Sequence, residues 1–227
     1  MNDLPSWRDQ ARSNIKSVCL IFFCGLVIVL SVAGFHTWRS GGKGYNIRDL
    51  MRDPADILDY PVYLGGLSQI GIFLWTAAAT VSILAGTIIA KRDSRQLLLG
   101  RFLFFLGLFT LWLGLDDCFL IHERILPRLG IPDPAVMCAY VLVMFLFLAL
   151  FRRAILATPC ILLALSFAFF ALSVLFDCVT PVQVPLAEDG AKATGIVALL
   201  VYSSKTAYLF LTAREKSPAQ SVDAVSS

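Results

Sequence analysis

The sequence predicts an all-α fold: a polytopic membrane helix bundle with six transmembrane helices and both termini in the cytoplasm. Three observations predict it. Of 227 residues, 58% are hydrophobic and only 15% charged, against about a quarter charged in soluble domains. The apolar residues gather in six runs, each able to cross a hydrocarbon core of about 30 Å, which takes roughly 20 helical residues. The basic residues divide unevenly between the two sides that these runs define, as the orientation rule for membrane proteins requires.

The runs fall near Ser17–Phe35, Val62–Ala90, Leu97–Ile121, Ala135–Phe151, Ala154–Phe176 and Gly190–Leu211. Helix is the form expected for each, because an open sheet would leave backbone groups unpaired in hydrocarbon. Residues 1–16 form a cytoplasmic N-terminal segment, 17–213 the transmembrane domain and 214–227 a disordered cytoplasmic tail rich in Ser and Ala. The first run also admits a signal-peptide reading, since Arg8, Arg12 and Lys16 precede it and Ser31-Val32-Ala33 resembles a cleavage site. Between the first two runs lies an extracytoplasmic loop, 36–61, with a short helix over 55–59 after Asp53-Pro54. Pro127 and Gly130 close the third run. Asp133-Pro134 reads as an N-cap and first helical residue for the fourth, and Arg152-Arg153 as the turn into the fifth.

With the N-terminus inside, twelve of the 19 Lys and Arg residues are cytoplasmic: Arg8, Arg12, Lys16, Lys91, Arg92, Arg95, Arg101, Arg152, Arg153, Lys205, Arg214 and Lys216. The acids run the other way, with Asp49, Asp53, Asp56, Asp59, Asp116, Asp117, Glu123, Asp133, Asp177, Glu188 and Asp189 all outside. The expected location is the cell (inner) membrane, multi-pass. A net charge of +3 without a dense basic block argues against nucleic acid. Small residues mark packing seams: Ala78, Ser82, Gly86 and Ala90 on the second helix, and Gly100, Gly107 and Gly114 on the third.

The chemistry is expected at the outer end of the third helix, in Leu115-Asp116-Asp117-Cys118-Phe119-Leu120-Ile121-His122-Glu123. At 100° per residue an unbroken helix puts Asp116 and Glu123 within about 20° of each other and Cys118 and His122 together on a different face. Asp177-Cys178 ends the fifth helix, and Glu188, Asp189 and Lys192 open the sixth at the same height. His36 and Asp59 lie nearby. Lys192 is expected as counter-charge to one of the carboxylates, Glu188 being in reach along the helix. Ionisable groups at this depth are functional candidates by default.

The run L-D-D-x-x-x-x-H-E, with Tyr60-Pro61 and Glu188-Asp189-Gly190-Ala191-Lys192, resembles a pattern in uncharacterised prokaryotic multi-pass membrane proteins, and the likeness spans most of the chain. More weakly the chain is similar to CREST-type membrane hydrolases, which include alkaline ceramidases and carry a zinc site of several histidines, an Asp and a Ser. It departs from them in having only His36 and His122 and no H-x-x-x-H. A three-histidine zinc site is therefore impossible within one chain.

Three functions compete. The first is a metal-assisted hydrolase of a lipid or amphiphile, with Asp116, His122, Glu123 and Asp177 holding a divalent Zn, Mn or Fe and Asp117 or Glu188 as general base. The second is an ion- or proton-coupled transporter or channel, disfavoured by an inner half nearly free of ionisable groups. The third is a non-catalytic membrane subunit.

Overall fold

A computed structural model describes residues 65–179 and 185–212 continuously, with only the backbone at 177–179, 185 and 186, and scattered positions before residue 65. The chain divides into two units, Met1–Leu64 and Gly65–Ser227. In the first, the described positions between 19 and 37 are helical, all but Thr37 within the first expected span, and Leu58 and Asp59 form a turn. The N-terminal segment, most of the 36–61 loop including His36, and the tail lie outside the described residues.

The second unit is helical, with no strand among the described residues. Its helices are α1 (Gly66–Arg92), α2 (Leu97–Phe119), α3 (Asp133–Leu156), α4 (Cys160–Val179) and α5 (Pro185–Thr212). Four are long and apolar enough to cross a membrane: α1, α2 with the turn leading into it, α3, and α5 from Ala187; the apolar part of α4, Cys160–Phe176, is shorter. Lys91 and Arg92 end α1, and Arg152 and Arg153 lie in the last turns of α3.

Two boundaries differ from the sequence reading. Helix α3 continues through Arg152-Arg153 and breaks at Ala157–Pro159, because proline brings no N–H and pushes the residue before it out of the helical region. At the other end the cap is Pro132, while Asp133 is already helical and makes no capping hydrogen bond through its side chain.

The expected seams mesh with each other. A methyl group added at Gly86 would stand 2.5 Å from Phe104 N and 2.6 Å from Gly100 O; one at Gly100 would meet the Ala90 Cβ at 2.6 Å. Gly107 lies as tightly on Ile83 and Ala79, and Gly114 on the Trp75 side chain. Backbones approach this closely only where no side chain intervenes, so α1 and α2 gain dispersion contacts that lipid cannot compete away. On the other side of α1, Ser82 Oγ donates to Ser203 Oγ of α5 at 2.8 Å. Ser166 of α4 donates to the Gly195 carbonyl of α5 at 2.7 Å. Toward the Arg101 and Arg152 ends of the helices, Phe102 gathers Phe147, Phe151 and Tyr202 at ring-centroid distances of 5.6, 5.7 and 6.5 Å. This aromatic plug fills the space between α2, α3 and α5. Beyond it, toward Asp133, a cavity lies between α3 and α4.

Candidate functional site

Helix α2 does not continue through the motif. It stops at Leu120, whose φ of 52° and ψ of 45° are left-handed, and Ile121–Ile125 then forms a π-helical turn. A left-handed residue other than glycine costs roughly 1–2 kcal/mol, and strain of this kind gathers at functional sites. The reversal carries His122 back over the end of α2. Its backbone N–H donates to Asp116 Oδ1 at 2.8 Å, and its Nδ1 lies 2.6 Å from Asp116 Oδ2. Asp116 is only 3% exposed. The faces expected from an unbroken helix are thereby corrected: Asp116 meets His122, not Glu123. Cys118, expected to share a face with His122, is an exposed free thiol.

The carboxylate clamp dictates the histidine tautomer. An ionised Asp116 accepts a hydrogen bond from Nδ1–H, which leaves Nε2 as the exchanging nitrogen. Glu123 Oε1 stands 3.8 Å from Nε2, and the Tyr140 ring lies edge-on at 6.5 Å, its hydroxyl accepting from Trp112 Nε1 at 3.1 Å. Beside the dyad, Lys192 of α5 donates to Asp117 Oδ1 in a short ion pair, the carboxylate side chain 13% exposed and the lysine 33%. The counter-charge role expected of Lys192 is thus made with Asp117 across helices.

A cavity of about 280 Å³ opens below these groups. Asp116, Asp117, His122, Glu123, Asp133, Glu188 and Lys192 line its polar end, and Leu106, Phe109, Leu113, Met144, Phe167 and Leu199 the apolar end. Along α3 it runs from Asp133 to Met144, eleven residues or about 16 Å at 1.5 Å per residue. A second space of about 150 Å³, lined by Leu67, Ser68, Gly71 and Asp189 among others, shares Asp117, Glu123 and Lys192 with the first. The Asp117–Lys192 pair is the wall between them.

Of the expected site residues, Asp116, Asp117, His122, Glu123 and Glu188 come together around this cavity; the Asp177 and Cys178 side chains lie outside the described residues. Among the described residues no three His, Cys, Asp or Glu side chains converge closely enough to hold a metal ion. Both Asp116 oxygens bond His122 instead. The described donors therefore do not fit a divalent ion. Sequence reasoning missed Trp75, Tyr140 and Ser173 as lining residues, and read Asp133 only as a cap. A tryptophan in mid-span facing Gly114 of the next helix was the available signal, since a bulky ring opposite a glycine marks a shaped contact.

No curated protein and no solved structure is significantly similar to this chain. A family model does match, over residues 20–206 of the 227. The chain belongs to the family described as a domain of unknown function, DUF8692.

Proposed function

We propose that the chain is a six-pass protein of the cell (inner) membrane, both termini in the cytoplasm, that hydrolyses an acyl amphiphile drawn from the outer leaflet. The carrying observation is the Asp116–His122 dyad at the polar end of a cavity whose far end is apolar. An amphiphile matches that gradient: its chain fills the pit at about 0.8 kcal/mol per buried CH₂, and its polar bond lies beside His122. The inner half supports a closed pit rather than a conduit. Ser82 and Ser203 bond each other, Thr158 bonds Tyr202 at 2.8 Å, and the aromatic plug fills the space between helices.

In this reading Asp116 orients the imidazole and stabilises its charged form. Nε2 takes a proton from a water molecule as the water oxygen attacks the acyl carbon. The same proton then goes to the departing alcohol or amine as the acyl–heteroatom bond breaks, giving a carboxylic acid and a free leaving group. The proton-transfer role expected of Asp117 or Glu188 passes to His122, because Asp117 holds the lysine. The described donors do not form a metal site, so no step is routed through a metal.

The test is acyl release. Purified protein in vesicles is given medium-chain acyl esters and amides, and the freed fatty acid is measured by mass spectrometry. His122→Gln should lower release by about 10²-fold or more, the usual scale of general-base catalysis, with Asp116→Asn also impaired. Release no greater than from empty vesicles, or a folded His122→Gln variant at the wild-type rate, would refute the proposal.

A further inference from the structure

Two polar atoms of the cavity's lining residues are not used by the dyad. Trp75 Nε1 and Asp133 Oδ1 are both enclosed, and neither has a hydrogen-bond partner among the described residues. Buried polar groups are ordinarily paired, so each such atom calls for an explanation. Trp75 cannot turn away to find a partner. It is 3% exposed, its ring stacks on Phe170 at 5.3 Å, and its Cβ would stand 2.9 Å from a methyl placed on Gly114. The neighbouring Trp112 supplies the contrast: its Nε1 donates to the Tyr140 hydroxyl at 3.1 Å.

The two atoms are of opposite kind and stand at different depths. An indole nitrogen only donates, and an ionised carboxylate oxygen only accepts. The contact of Trp112 with Tyr140 sets the level of α3 against α2. From that level Gly114, beside Trp75, lies two residues toward the polar end on α2, and Asp133 seven residues on α3. At 1.5 Å per residue these are about 3 Å and about 10 Å, so Asp133 stands on the order of 7 Å nearer the polar end. A molecule that satisfies both atoms carries an acceptor oxygen deeper and a donor nearer the polar end. An acyl ester of a short polyol has that order: alkyl chain, carbonyl, hydroxyl. A hydroxyl suits an enclosed oxygen because it brings one donor proton, whereas an ammonium brings three and a full charge to desolvate.

We infer that the cavity selects an acyl ester of a short polyol, its carbonyl oxygen accepting from Trp75 Nε1 and a head-group hydroxyl donating to Asp133 Oδ1. This rests on reading the cavity as the substrate site, and it names the substrate class for the hydrolysis above. Trp75 then also donates to the oxygen on which negative charge gathers as the acyl carbon is attacked.

Probes of one chain length test it: monolaurin carries both groups, methyl laurate the carbonyl without a hydroxyl, and dodecylglycerol ether the hydroxyls without a carbonyl. Native mass spectrometry of the full-length protein in detergent reads the mass of each bound probe, so cleaved probe is not counted. Monolaurin should bind about tenfold more tightly than either of the others, the scale of one hydrogen bond to an otherwise unpaired buried group. Trp75→Phe should bring monolaurin down to the ether while leaving its advantage over methyl laurate, and Asp133→Ala should do the reverse. A Trp75→Phe variant that weakens all three alike marks a ring needed only for packing and overturns the carbonyl contact. Equal binding of ester and ether by the wild-type protein, as when a resident water serves the indole, overturns the inference whether or not either variant folds. So does tighter binding of N-lauroylethylenediamine than of N-lauroylethanolamine, an ammonium against a hydroxyl on the same amide. The two proposals fail separately. Loss of the probe ranking with His122-dependent acyl release intact sinks only the polyol ester; the ranking intact without acyl release sinks only the hydrolysis.

Discussion

Removing Lys192 should cost more stability than removing its partner. In Lys192→Met the Asp117 carboxylate, 13% exposed, keeps its charge in a site that has lost its ammonium partner. Breaking a buried pair in this way costs about 3–5 kcal/mol, and the water-accessible side of the wall places the expected loss near 3 kcal/mol at the lower end. In Asp117→Asn the ammonium is left, but it is 33% exposed on a flexible stem. It can turn toward water, so about 1–2 kcal/mol is expected. The double variant Asp117→Asn/Lys192→Met removes both charges and should lie within about 1 kcal/mol of wild type, since a buried pair scarcely outperforms a neutral replacement. Equilibrium unfolding of detergent-purified protein, followed by circular dichroism, measures all four members of the cycle. A double variant that loses the full sum of the two single losses would refute the reasoning, because the two groups would then be acting independently.

Other outcomes follow from the same geometry. Gly107→Ala forces a methyl to within 2.6 Å of Ile83 and 2.8 Å of the Ala79 carbonyl and should cost about 1–3 kcal/mol by overpacking. Gly190→Ala meets nothing within 4 Å and should stabilise α5 by up to about 1 kcal/mol; thermal unfolding reads both signs. Leu120→Gly relieves the left-handed backbone and should raise stability by up to about 1 kcal/mol, while Leu120→Val should lower it and impair acyl release together. For topology, a single cysteine at Leu129 in a cysteine-free variant should react with an impermeant maleimide on intact cells, and one at Ser94 only after permeabilisation. The reverse pattern would overturn the N-in orientation.

Four of the expected spans were legible because hydrocarbon demands long apolar runs, and such runs survive as composition whatever the packing. The α1–α2 seam was legible for a related reason: glycine and alanine at four- and seven-residue spacing have few uses in lipid besides close approach. Lys192 was readable as a counter-charge, since an ammonium at that depth needs one, but its pairing with Asp117 depends on how α5 rotates against α2. The dyad was hidden by the assumption of a continuous helix. A wheel drawn through Leu120 sends His122 and Asp116 apart, and only the left-handed turn at that leucine reverses the chain. Leucine gives no advance notice of such a turn, as glycine or asparagine would. The α3–α4 break was misplaced toward Arg152-Arg153, which lie where α3 reaches the polar boundary without ending there; Pro159 was the physical stop.

Helix α3 contributes one stripe to the cavity, and otherwise only 11% of its most apolar stretch is buried within the described bundle. Val143, Phe145, Leu146 and Leu150 look outward. Selection can therefore act on those positions only through oiliness and bulk, and one greasy side chain serves as well as another. Homologous chains should drift freely along that outer surface while Asp133, Met137 and Tyr140 on the same helix hold still, so the two sides of a single helix would keep different evolutionary clocks.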